Sequence, residues 1–121
     1  MTDQHSFRTP VAASGPSGKL WLLVLTGDVD PEDADEMEAV FARAEREAAG
    51  LLFTVDVSRL RFCDSSLLNL LLLTARRRTV VLAGENDFMR RMLEVTGVGS
   101  AFTVVAGVDA ARVLAAQPGP V

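Results

Sequence analysis

The tightest constraint on the fold is a pair of apolar runs, Leu20 to Leu25 and Leu51 to Val57, with an amphipathic stretch between them. The first is apolar on both faces, which suits a strand covered on both sides, and the second reads as another buried strand, ending at Asp56. Two such strands with a helix between them fit an α/β sheet covered by helices. The helix signals between them are strong. Asp30 can cap, Pro31 suits the first helical position, and Glu32 and Asp33 favour the positive end of the dipole. Ala34, Met37, Phe41, Ala44 and Ala48 recur at helical spacing, with Val40 widening the stripe and Gly50 as a natural stop.

The same alternation continues to the end of the chain. Phe7 to Ala13 reads as a short strand, followed by a turn at Ser14-Gly15-Pro16-Ser17-Gly18 that closes a hairpin onto Leu20 to Leu25. After Val57 comes a short connection, Ser58 to Cys63. Asp64-Ser65-Ser66 then opens a helix that is apolar nearly all round, is wedged against its neighbours and closes at Arg76-Arg77-Arg78. Thr79 to Ala83 is strand. The next helix takes its apolar side from Phe88, Met92, Leu93 and Val95 and is broken by Gly97 and Gly99. Phe102 to Val105 is the last strand, and Asp109 caps a helix from Ala110 to Ala116. The order β-β-α-β-α-β-α-β-α predicts an α/β fold, a mixed sheet covered by helices. At 121 residues this is one domain, with a core from about 7 to 116 and loose ends at 1–6 and 117–121.

Composition excludes several functions. Sixteen acidic against twelve basic residues give a net charge of −4, the wrong sign for phosphate-driven nucleic-acid binding. The longest apolar stretches fall far short of the roughly 18 residues that a membrane span needs. The first six residues carry no signal-peptide pattern, and one cysteine, Cys63, suits a reducing cytoplasm. The single histidine, His5, lies near the N-terminus and supplies no base for a serine hydrolase, and one His with one Cys makes no metal site. No phosphate-binding loop with Gly-Lys-Ser/Thr occurs, and Gly97-Val98-Gly99 follows a helix where a dinucleotide fingerprint would follow a strand. Asp28, Asp30 and Asp56 sit where a receiver domain keeps its acids, yet no lysine follows Lys19. The residues therefore predict no catalytic centre, no cofactor site and no metal site, and not an enzyme. Trp21 and Cys63 read as core, and Arg76 to Arg78 as a solvated helix end.

Three stretches in order carry a resemblance. Asp56-Val57-Ser58 to Asp64-Ser65-Ser66, Thr26-Gly27-Asp28-Val29-Asp30, and Arg91 to Val98 followed by Phe102 resemble the STAS domain of the anti-sigma factor antagonists. There a strand ending in Asp leads through a loop to Asp-Ser-Ser-Gly-Leu, a Gly-Glu-Leu-Asp turn lies upstream, and a threonine-glycine stretch lies downstream. The resemblance runs from about Phe7 to Ala116 and implies a single STAS domain. It places the family's phosphorylated serine on Ser66, with Asp64 and Asp30 as its acidic neighbours. It also implies a partner face of Asp28, Asp30, Asp64, Ser65, Ser66 and Leu67. Leu67 stands where the family has glycine, which adds an apolar contact or narrows access to the serine.

The partners so implied are an anti-sigma factor with serine kinase activity and a phosphatase that resets the phosphoserine. Unphosphorylated protein would hold the kinase and free a sigma factor, in the cytoplasm, with no nucleic acid or membrane bound directly. The alternative is a STAS module that works without phosphorylation, as a transporter-ATPase subunit or a signalling scaffold. The plain reading of Ser65 and Ser66 is that they cap a helix.

Overall fold

The structure, a computed structural model, describes residues 9–118. Five strands form one sheet in the order β1-β2-β3-β4-β5: Val11–Ser17, Leu20–Val29, Leu52–Cys63, Val80–Ala83 and Thr103–Val105. β1 and β2 form an antiparallel hairpin, and the other pairs are parallel. The helices are α1 (Ala34–Glu47), α2 (Ser65–Ala75), α3 (Asp87–Thr96) and α4 (Val108–Ala116). Each parallel strand lies beside its predecessor, so right-handed crossovers put α1, α2 and α3 on one face. α4 alone covers the other, where Ala111 packs with Leu20 and Val81. The α/β class and the element order agree with the sequence. No helix of the described residues is long and apolar enough to cross a membrane.

The main core lies between the sheet and the three helices. Trp21 and Phe53 are buried at its centre, with ring centroids 5.9 Å apart, and Phe41 of α1 meets Phe53 edge-on at 5.6 Å. Trp21 Nε1–H donates to Glu47 Oε1 (3.0 Å), and the Arg43 guanidinium stands 5.2 Å over the indole ring. Arg77 and Arg78 are not merely solvated, since both pair with Glu45 and tie the end of α2 to α1.

Several boundaries differ from the sequence reading. Phe7 and Arg8 lie outside the described residues. The expected turn Ser14–Gly18 is mostly strand, and the chain reverses at Gly18-Lys19. Pro16 is tolerated there because β1 is an edge strand with no second neighbour to bond. The expected connection Ser58–Cys63 is the second half of β3. It pairs with Thr26–Val29 through two irregularities, one between Val24 and Thr26 and one between Gly27 and Asp28. Each inserts an extra β3 residue, so burial there falls on Val57, Leu60 and Cys63, at a spacing of three instead of two. That spacing hid the strand from a period-two reading.

The helices bring further corrections. α2 is not wedged on all sides: Leu67, Leu68 and Leu71 are buried, whereas Asn69 and Leu73 face solvent. On α3, Met89 and Leu93 point inward and Val95 is exposed, because residues 93 and 95 lie about 200° apart on a helix. α4 begins at Val108 with Gly107 as its cap, so Asp109 sits in the first turn instead of capping.

Gly84 ends β4 at φ +75°, and a Cβ on it would lie 2.8 Å from the Ser58 Cβ. Gly84→Ala is expected to lower stability by roughly 1–3 kcal/mol, read from urea midpoints. Adding Ser58→Gly should recover part of the loss by removing the clash, and no recovery would mean that the backbone conformation alone matters. A second expectation concerns Glu47, whose carboxyl is held below the usual range by the Trp21 hydrogen bond and then by Arg43. Its contribution to stability is present above the ordinary glutamate range and is lost as pH falls through the lowered value. Acid unfolding of Glu47→Gln should therefore lack that increment of pH dependence.

Candidate functional site

The site is built by the last register pair of β2 and β3, Val29 opposite Cys63. Parallel strands run about 4.8 Å apart, so the next residues, Asp30 and Asp64, emerge side by side. The Asp64 N–H donates to the Val29 carbonyl (3.3 Å) and closes the end of the pair. Beyond Asp30 the chain makes one 3₁₀ turn, Pro31–Asp33, before α1. In that turn the Asp30 N–H donates to the Asp33 carboxylate (2.8 Å), and the Asp33 N–H donates to the Asp30 carbonyl (2.9 Å).

Beyond Asp64, α2 starts at once. Asp64 is its N-cap, and its Oδ1 accepts the Ser66 N–H at 3.0 Å. This settles the plain reading of the two serines: the aspartate caps, and Ser65 and Ser66 fill the first turn, both exposed. None of the side-chain hydrogen bonds found among the described residues engages Ser66 Oγ. Its hydroxyl is therefore held at a helix N-terminus, facing solvent, where amide groups and the dipole favour negative charge.

Asp30, Asp64 and Ser66 line one cleft of about 170 Å³ between α1 and α2, together with Glu38 and with Met37 and Leu70 beneath. Of the expected site residues, Asp28 and Ser65 do not line this cleft, and Leu67 lines it only from below. Asp28 is paired with Arg61 (3.3 Å) on the exposed side of the strands and does not line the cleft. Leu67 is fully buried and belongs to the core. Its expected role as an exposed partner contact is corrected accordingly, because the side chain at the third position after the N-capping Asp64 turns in toward the sheet. A leucine there floors the cleft and does not stand over the serine. Asn86, on the next helix, bonds to the β3 backbone behind the site and was not singled out in the sequence. An asparagine opening a helix was its only signal.

Cys63 is buried, with its thiol 4.0 Å from the Met92 sulfur. Burial first, and the Asp64 charge second, push its pKa up to about 12. Little thiolate forms at pH 8, so the buried thiol is a poor nucleophile. Among the described residues no group of three or more His, Cys, Asp or Glu is placed to hold a metal ion.

The family model described as "Mlab, STAS domain" matches residues 17–106. Among solved structures, the anti-sigma factor antagonist SpoIIAA in its unphosphorylated form superposes with TM-score 0.61 at 18% identity, covering 84% of this chain and 94% of that one. The Bacillus cell fate determinant SpoIIAA in its phosphorylated form gives 0.58 at 20% identity, covering 81% and 93%. A sulfate transporter family protein from Wolinella succinogenes gives 0.65 at 19%, covering 82% and 86%. At such identities the likeness is one of fold. A search for similar curated proteins finds no match.

Two measurements check the local chemistry. Asp64→Ala should cost about 1 kcal/mol through loss of the cap, while Asp64→Ser should recover most of it in the same urea titration. Cys63 in the folded protein should resist iodoacetamide at pH 8 and react fully in denaturant; rapid folded-state alkylation would contradict its burial.

Proposed function

The chain belongs to the STAS domain family, and on that premise we propose that it is an anti-sigma factor antagonist switched by phosphorylation of Ser66. The observation that carries this reading is the place of Ser66: exposed, in the first turn of α2, in one cleft with Asp30 and Asp64. A phosphate there brings about −1.5 to −2 charges. The helix N-terminus accommodates that charge with little disturbance of the fold. An interface over the same cleft does not, because a dianion beside two carboxylates must be desolvated and repels any acidic group of the partner. The outcome is release of the partner without unfolding.

In this reading the protein is a binding module and not an enzyme. Its partner is an anti-sigma factor with serine kinase activity, and a separate phosphatase restores the hydroxyl, all in the cytoplasm. The docking face comprises Asp30, Asp64, Ser65 and Ser66. Asp28 joins it only at its margin, through the ion pair with Arg61. The likeness to SpoIIAA in both phosphorylation states supports the reading at the level of fold.

A second reading, a phosphorylation-independent module such as a transporter-ATPase subunit or a scaffold, is favoured by the fold likeness to the sulfate transporter family protein. One set of variants separates the two. Ser66→Ala should retain the native partner in a pull-down, and Ser66→Glu should weaken it ~100-fold or more, the effect of about 3 kcal/mol of misplaced charge. Phosphopeptide mapping of protein from native cells should find the modification on Ser66. Equal binding by both variants, with no phosphate in any growth state, would establish the second reading instead.

A further inference from the structure

The second half of β3 has a neighbour on only one side. β4 pairs with Phe53 to Asp56 and ends at Ala83, so Val57 to Cys63 are strand-bonded to β2 alone. Along the open side lies α3, which touches this tail at three levels. Asn86 Nδ2 donates to the carbonyls of Leu60 (2.5 Å) and Val57 (3.3 Å). Phe88 meets the ring of Phe62 with centroids 5.8 Å apart, and Met92 meets Cys63. Asn86 thus bonds to the backbone of β3 residues that β4 does not pair.

Asn86 does two jobs with one amide group. Its Oδ1 accepts the Met89 N–H (2.9 Å) and caps α3, while its nitrogen holds the two β3 carbonyls. Those carbonyls fall at the bulged region, where the ladder is irregular and a local partner is most needed. Three residues beyond the tail's last core residue stands Ser66. We propose that Asn86 is a positioning residue for Ser66: acting through the β3 tail, it sets where Asp64 and the first turn of α2 stand relative to Asp30. The functional weight of that position rests on the reading of Ser66 given above, whereas the mechanical link does not.

The side-chain chemistry permits a clean separation. Asn86→Asp keeps an N-cap as good as asparagine but removes both amide hydrogens and faces two carbonyls with a carboxylate. Asn86→Ser also keeps a cap, carries no charge, and is too short to reach. The experiment is residue-resolved amide hydrogen exchange on the full chain, with Ala44→Gly in α1 as a control for general destabilisation. In both Asn86 variants the amides from Leu60 to Ser66 should exchange at least tenfold faster relative to Phe53–Asp56, with α3 still protected. The control should show no such contrast.

Unchanged protection of Leu60–Ser66, or an equal loss along the whole sheet, would overturn the proposal. If Asn86→Asp does not fold, Asn86→Ser decides the matter alone. The exchange pattern needs no partner and no phosphate. A failure of the switch reading with the local contrast intact is thus distinct from a failure of the clamp.

Discussion

Pairing of parallel strands transmits position along a chain with little slack. β2 and β3 stay bonded from Leu20 and Leu52 to Val29 and Cys63, through two extra residues in β3. Whatever follows Val29 must therefore emerge beside whatever follows Cys63. Two aspartates follow, at positions 30 and 64, and a helix starts directly after the second. The cleft, the cap on Ser66 N–H and the exposure of the serine all descend from that shared end point. Had β3 stopped at Val57, a six-residue loop would have left the distance between Asp30 and Ser66 free to vary.

The electrostatics of the cleft follow from the same arrangement. Asp64 spends one carboxylate oxygen on the α2 backbone, and Asp30 is oriented by the 3₁₀ turn after it. Both acids thus serve the local fold and still present charge to the cleft. Cys63, one residue before Asp64, shows the opposite environment, a thiol kept neutral by burial. Between Cys63 and Ser66 the chain passes from core to solvent within three residues. A modification at Ser66 therefore meets water and a helix dipole, not packed side chains.

Much of the fold was legible because periodicity survives in the regular elements. α1 buries Met37, Val40, Phe41 and Ala44 as its spacing implied, and β4 is buried throughout. The errors cluster where a tertiary contact overrides a local rule. Pro16 reads as turn but lies in a strand, because an edge leaves its missing N–H unneeded. Ser58 to Cys63 read as a connection because two bulges change the burial spacing from two to three. Val95 read as core until the start of α3 was known, which rotates the buried stripe onto Met89 and Leu93. At the site, Asp30, Asp64 and Ser66 were named through the family resemblance and line one cleft, whereas Leu67 lies buried beneath them.

The amino-acid order alone determined the class of fold and the sequence of strands and helices, while Asp30, Asp64 and Ser66 were named through the resemblance to the STAS family. Hydrophobic spacing and helix-start chemistry are local properties, and they are written wherever an element is regular. The length of β3, the inward turn of Leu67, the pairing of Asp28 with Arg61 and the grip of Asn86 on two carbonyls were decided by packing. Each depends on which segment lies alongside, and hydrogen-bond partners far apart in the chain carry no local signature.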